Sequence, residues 1–184
     1  AWVINYTNPM TLCVKTLYRV FPEIKAFGCC HEVFGTQKFL ARVVEEMLGA
    51  ENVERHEIKV NPVGVNHFTW FTEAKYQDVD IFPLYREYVK QNKGLHYDKI
   101  DDTEENWLNK YFINHNKVKF DLFERFGYIA AAGDRHLAEF CEGKWYLENN
   151  DRVEDMLFHL TPVWSRKDEL KERLAKSKRL LSGE

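Results

Sequence analysis

Gly28-Cys29-Cys30-His31-Glu32-Val33-Phe34-Gly35-Thr36 is the stretch on which the reading of this chain turns. Ahead of it, Lys25-Ala-Phe-Gly-Cys29 reads as a short buried strand. Behind it, Phe39, Leu40, Val43, Val44, Met47 and Leu48 recur at the spacing of one helical face. Cys30 therefore sits where a strand gives way to a helix. In open α/β sheets, ligands bind beyond the carboxyl ends of the strands. A thiol at a helix N-terminus also feels the positive end of the macrodipole, which favours the thiolate. A thiolate is both nucleophile and metal ligand, and His31 lies beside it. The alternative is a packed structural cysteine with a capping histidine, since free cysteine is among the most buried residue types.

Toward the N-terminus, Trp2-Val-Ile-Asn-Tyr-Thr7 is strand-like and Asn8-Pro9 is a turn signal. Met10, Cys13, Val14, Leu17, Tyr18 and Phe21 then line one face of a helix that Pro22 ends. The second helix runs to Gly49, a natural C-cap. Strand, helix, strand, helix is the pattern of a parallel sheet. Toward the C-terminus, residues 53–65 read as one or two strands, and Asn66 to Ala74, rich in β-branched and aromatic residues, as another. Ile81 to Val89 is an amphipathic helix. Residues 92–105 read as a polar loop, 107–126 as one or two helices, and 127–134 as a loop of small residues. His136 to Phe140 starts another helix, and 148–156 reads as polar surface. Ser165-Arg-Lys-Asp168 resembles a capping box opening a solvated helix with a thin stripe of Leu170, Leu174 and Leu181. The expected fold class is α/β passing into α+β, divided at residues 1–50 and 51–184.

Hydrophobic residues make up 45% of the 184, enough for a core, and the net charge of −3 excludes any demand for nucleic acid or an anionic membrane. No apolar run approaches the ~20 residues that span a bilayer. Cys13, Cys29, Cys30 and Cys141 form neither a disulfide ladder nor a CxxC pair. Reduced thiols in a cytoplasmic setting fit best. The chain opens inside a strand without an initiator Met, so a piece of a longer protein is expected.

Four clusters could carry chemistry. Asn5-Tyr-Thr-Asn8-Pro9 ends the first strand and Cys30-His31 the second; if these strands are parallel neighbours, both lie on one sheet edge. The third is Gly64-Val-Asn66-His67-Phe-Thr-Trp70. Cys and His both coordinate transition metals, and two protein ligands leave a site open for substrate. In a regular strand, however, Asn66 and His67 point to opposite faces, unless Gly64 marks a bend. The fourth is Phe126-Gly-Tyr128-Ile-Ala-Ala-Ala-Gly-Asp134-Arg135-His136. Asp134 could be only a helix cap and Arg135 only a surface charge. Arg135 does have the geometry to hold a carboxylate bidentately.

Asn5-Tyr-Thr-Asn-Pro-Met10, Gly28 to Thr36 and Gly64 to Trp70, in this order and spacing, resemble glycoside hydrolase family 4. Ala131-Ala-Gly-Asp-Arg-His-Leu-Ala-Glu-Phe140 is similar to the branch of α-galacturonidases and α-glucuronidases. The resemblance implies the end of a Rossmann-type NAD domain followed by a catalytic domain like that of lactate and malate dehydrogenases. It implies NAD and a divalent metal, Mn²⁺, as cofactors, with Cys30 and His67 as metal ligands; thiolate and imidazole alone would have suggested zinc. Asn8 and Asn66 would bind sugar hydroxyls, Asn8 also lying against the cofactor, and His31 would stand near the metal. The implied reaction is oxidation at C3 of the sugar by NAD⁺, proton removal at C2, elimination at C1 and addition of water, in place of the usual paired carboxylates. Where related branches carry a tyrosine base, this chain has Asp134-Arg135-His136, with Tyr128 nearby, so Tyr128, Asp134 and His136 are the catalytic candidates and Arg135 the candidate uronate clamp. No Gly-x-Gly-x-x-Gly is present, so the segment alone is not expected to turn over a glycoside. Members of the family are dimers or tetramers, so a homo-oligomer is expected. Three other readings stand beside this one: an α-galactosidase or α-glucosidase of the same family, a 2-hydroxyacid dehydrogenase of the same fold, and a non-catalytic metal- or sugar-binding lobe.

Overall fold

The computed structural model describes residues 1–92, 115–160 and 163–183. Two short strands open the chain. β1 (Val3–Asn5) and β2 (Ala26–Gly28) pair in parallel, with Val3 opposite Ala26 and Asn5 opposite Gly28. The crossover between them is α1 (Met10–Val20). The Cys29 N–H extends the ladder by donating to the Asn5 carbonyl at 3.0 Å. The sheet edge expected from the sequence is therefore real: Asn8 and Cys30 leave the same ends of adjacent strands. A Cβ on Gly28 would stand 2.5 Å from Met10 Sδ, so a larger residue there would have to displace the Met10 side chain. Only Met10 of the α1 stripe is buried, whereas Tyr18 and Phe21 are largely exposed; the Tyr18 hydroxyl instead donates to the Ala26 carbonyl at 2.6 Å.

α2 (His31–Leu48) begins directly after Cys30, its N-cap, and ends at Gly49 in the left-handed region, φ 67°. Phe39, Leu40, Val43 and Val44 of its apolar stripe are fully buried, while Leu48 is exposed. After a 3₁₀ turn (Arg55–Glu57), β3 (Ile58–Val65) and β4 (Phe68–Tyr76) form an antiparallel hairpin, with β5 (Val79–Asp80) beside β4. α3 (Ile81–Asn92) follows. The polar loop read at 92–105 and the start of the helical stretch read at 107–126 lie outside the described residues. α4 (Lys117–Phe126) is the described part of that stretch. The chain continues through β6 (Ile129–Ala130), α5 (Asp134–Phe140), α6 (Gly143–Tyr146), α7 (Asn150–Asp155) and α8 (Val163–Ser182).

Both faces of the second sheet are covered. On one side Phe71 and Ala74 meet the stripe of α2, Tyr85, Tyr88 and Val89 of α3, and Phe120 and Phe123 of α4. On the other, Phe68 and Trp70 lie against a cluster of Leu122, Leu137, Tyr146, Val153 and Phe158. The core thus runs unbroken from α2 into the hairpin and α3, across residue 50.

Four local expectations are corrected. Asn66 and His67 do not start a strand. They are the two-residue turn of the β3–β4 hairpin, with Val65 opposite Phe68 and His67 at φ 64°. Gly64 lies at φ 118°, and a Cβ on it would stand 2.5 Å from the Phe68 carbonyl oxygen, so the strand can close into this turn only with glycine there. The small-residue loop contains β6, which pairs antiparallel with Trp70 and Phe71. The polar 148–156 stretch holds α7, capped by the Asn149 side-chain Oδ1 accepting from the Arg152 N–H at 2.8 Å, with Val153 and Met156 buried. Finally, α8 begins two residues before Ser165, so Ser165 is not its N-cap. Leu170, Leu174 and Leu181 of α8 are exposed, as expected of a solvated helix. Among the described residues, no helix is long and apolar enough to cross a membrane.

Candidate metal centre

Three elements converge on one point. α2 brings Cys30 at its N-cap and Glu32 in its first turn, the hairpin turn brings His67, and α5 brings His136. The donor atoms of Cys30, Glu32 and His67 all lie within 4.8 Å of one another, each residue half-buried. His67 reaches this point because it sits in a turn rather than on a strand face. A non-glycine residue held in the left-handed region is uncommon and is often found at functional sites.

The surrounding contacts fix these groups. Glu32 Oε1 is 2.6 Å from His136 Nδ1 and accepts from the Gly133 N–H at 3.3 Å. The His136 ring stacks on the His67 ring, centroids 4.1 Å apart and planes 16° from parallel. The Asn66 side-chain amide donates to Asn8 Oδ1 at 3.3 Å, joining the sheet edge to the hairpin turn. Two buried oxygens, Glu32 Oε2 and Asn66 Oδ1, have no hydrogen-bond partner among the described residues. An unpaired buried acceptor is costly, the more so when charged. A divalent cation among Cys30, Glu32 and His67 would satisfy the carboxylate oxygen, so the donor set fits a metal.

The electrostatics agree in part with expectation. The Cys30 thiol is pushed above its ordinary 9.0, chiefly by burial, with Glu32 and Cys29 adding to it. The N–H groups of Glu32 and His31 at the helix start do favour the thiolate, but they do not outweigh those effects. The helix start thus favours the thiolate as expected but does not set the net direction, and a metal binding here would have to displace the thiol proton. Burial lowers the His67 pKa, with His136 and His31 repelling its proton and Glu32 opposing them, and this favours the neutral ring that a metal needs. Burial pushes the Glu32 carboxyl up, but the His136 hydrogen bond and charge, the His67 charge and the Gly133 N–H together hold it below the usual carboxylate range. Metal binding should then release the Cys30 proton. Mn²⁺ affinity, followed by the free-ion EPR signal, is expected to rise roughly tenfold per pH unit from 6.5 to 8.5, one proton being displaced per ion. A flat profile would place the metal elsewhere.

Of the residues singled out from sequence, Asn8, Cys30, Asn66, His67 and His136 come together, and His31 lies close enough for its charge to be felt at His67. Arg135 adjoins them on α5, half-buried, its pKa lowered by burial and Arg166 against the attraction of Glu139 and Glu32. Two residues do not join. Tyr128 lies along β4 with Thr72 and Phe126 in a separate open cleft of about 450 Å³. At about 3.3 Å per residue, Thr72 is roughly 16 Å along the strand from His67. Asp134 is buried and accepts from the Lys119 N–H at 3.0 Å. The N–H groups of residues 117–119 and the Lys119 ammonium are its partners, so it caps α4 rather than α5. Burial nonetheless pushes the Asp134 carboxyl up to about 6. Glu32 was not singled out from the sequence, although its place two residues after Cys30 was visible there.

A profile of the family 4 glycosyl hydrolase C-terminal domain matches residues 62–182, and one of family 4 glycosyl hydrolases matches residues 1–46. The chain is 57% identical to an alpha-galacturonidase of Thermoanaerobacterium saccharolyticum, over 100% of this chain and 39% of the relative. It is 49% identical to an alpha-galacturonidase of Bacillus subtilis, over 98% and 39%. The chain therefore spans about two fifths of the length of these relatives. Among solved structures, lplD of Bacillus subtilis superposes with TM-score 0.78 and 48% identity over 100% of this chain and 41% of its own. A 6-phospho-alpha-glucosidase from gut microorganisms, solved in complex with NAD and Mn²⁺, shares the fold at TM-score 0.59 and 21% identity, over 100% and 38%. Both parts of the chain, the sheet edge with Cys30 and the hairpin with His67, thus fall to one family, and the chain belongs to glycosyl hydrolase family 4.

Proposed function

We propose that the whole protein to which this chain contributes cleaves α-glycosides of galacturonic or glucuronic acid, with NAD and Mn²⁺ as cofactors, and that this chain carries the metal- and sugar-binding part of the active site. The observation that supports this most is the convergence of Cys30, Glu32 and His67 beside the Asn8–Asn66 pair. The alpha-galacturonidase relatives support the uronide. Cys30 and His67 hold the cation, and the carboxylate of Glu32 adds an oxygen donor, which shifts a zinc-like thiolate and imidazole pair toward Mn²⁺. When bound, the cation supplies Lewis-acid stabilisation of charge on sugar oxygens, and NAD supplies the reversible oxidation that acidifies the neighbouring C–H.

The chain's own residues then have separate tasks. The Asn8 and Asn66 amides orient sugar hydroxyls. Arg135, one residue before His136, grips the uronate carboxylate. His136 is placed to take a proton, and His31 lines the approach. The free cysteines fit a reducing cytoplasm, and a homo-oligomer fits the family. In the whole enzyme, Arg135→Ala should raise KM for an α-galacturonide roughly 10- to 100-fold, the loss of a charged hydrogen-bonded pair. A neutral α-galactoside should be little affected. Equal losses on both would remove Arg135 as the specificity residue.

A further inference from the structure

Glu32 is held by both oxygens' surroundings in a way that no single role explains. Oε1 sits 2.6 Å from His136 Nδ1 and also takes the Gly133 N–H, while Oε2 is buried without a hydrogen-bond partner among the described residues. We propose that Glu32 divides its carboxylate between two tasks: Oε2 is a third protein ligand of the divalent cation at Cys30 and His67, and Oε1 accepts the Nδ1–H of His136 and so fixes that ring beside the ligand set. The proposal rests on the reading that Cys30 and His67 hold a cation.

The tautomer follows from the inventory of donors. An ionised carboxylate only accepts, so the nitrogen 2.6 Å from it must carry the hydrogen. The ring cannot swing freely, because His67 stacks against its face at 4.1 Å while Glu32 holds its edge. His136 is not among the residues whose donor atoms gather within 4.8 Å, so it stands beside the ligand set rather than in it. Glu32 is also well placed by sequence: it lies in the first turn of α2, where the helix dipole favours a negative charge. One side chain thus ties the metal to the group that faces the substrate, and His136 is aimed only where the metal site is correctly built. Glu32 is in this sense a positioning residue as well as a ligand.

The test uses the chain with ¹⁵N-labelled histidine. Long-range ¹H–¹⁵N correlation reads the His136 tautomer without metal, and the free-ion EPR signal reads Mn²⁺ affinity. Wild type should show the Nδ1–H tautomer. Glu32→Gln, whose amide can either accept from Nδ1–H or donate to Nδ1, should weaken that preference and weaken Mn²⁺ binding at least about 10- to 100-fold. Cys30→Ser should weaken Mn²⁺ binding while leaving the His136 tautomer intact, and His136→Asn should leave Mn²⁺ affinity within about threefold. The proposal is overturned if Glu32→Gln binds Mn²⁺ like wild type, or if its His136 signal is unchanged. A Cys30→Ser chain that still binds Mn²⁺ normally would remove the cation reading itself, a different failure. Should Glu32→Gln not fold, wild-type His136 in the Nε2–H form, or a large Mn²⁺ loss in His136→Asn, overturns the proposal alone.

Discussion

Cys30→Ser in the whole enzyme is expected to lower kcat/KM by roughly 10³-fold or more, since a Lewis acid contributes several kcal/mol to the stabilisation of developing charge. The loss should not come with unfolding. Cys30 is only half-buried, serine is nearly isosteric, and the N-cap position of α2 accepts serine readily. A serine hydroxyl remains protonated at neutral pH and is a poor ligand, so the cation would keep only His67 and Glu32. Activity should be lost with thermal stability within a few degrees of wild type. Retained activity with Cys30→Ser would leave Cys30 as a packed structural thiol, the alternative weighed from its sequence position.

Asp134→Ala should do the opposite and act on the fold first. Asp134 and Lys119 are each about 2% exposed. Asp134 neutralises Lys119 and receives the N–H groups that open α4. Burial already drives the Lys119 pKa down to about 8, against the attraction of Asp134 and Glu32. Removing the carboxylate leaves the buried N–H groups that open α4 without their acceptor and the buried Lys119 charge less well compensated, a loss of roughly 3 kcal/mol or more. For a domain of this size that corresponds to a fall in Tm of roughly 10 °C or more. Chemical denaturation followed by circular dichroism measures it directly. An Asp134→Ala protein with wild-type stability and no activity would restore Asp134 as a catalytic group. Lys119→Met together with Asp134→Ala should recover part of the loss, since no unpaired charge then remains.

The strand-to-helix junction at Cys30 was legible because two periodicities meet there: a short apolar run and the i, i+3, i+4 recurrence of Phe39 to Val44. The parallel pairing of β1 and β2 followed from the same alternation. The hairpin turn was not legible. A two-residue turn is usually advertised by Asn-Gly or Asp-Gly, whereas here a histidine occupies the left-handed position, and the β-branched and aromatic residues after it concealed the break. Gly64 was the one local signal. β6 escaped because two residues carry no period. Glu32 escaped for another reason: in the first turn of a helix an acidic residue is an ordinary complement to the dipole. Its second task depends on His136, 104 residues away, a contact that no local pattern encodes. Tyr128 shows the reverse, being near Asp134 in sequence but well along β4 from His67.

Mn²⁺ binding to His67→Ala, set against wild type under reducing conditions, tests most directly whether a metal joins the sheet edge to the hairpin turn. A cation held by Cys30, Glu32 and His67 predicts that the alanine protein, still folded, binds at least about 100-fold more weakly. Equal affinity in the two proteins would contradict a metal between them and return Cys30 and His67 to structural roles.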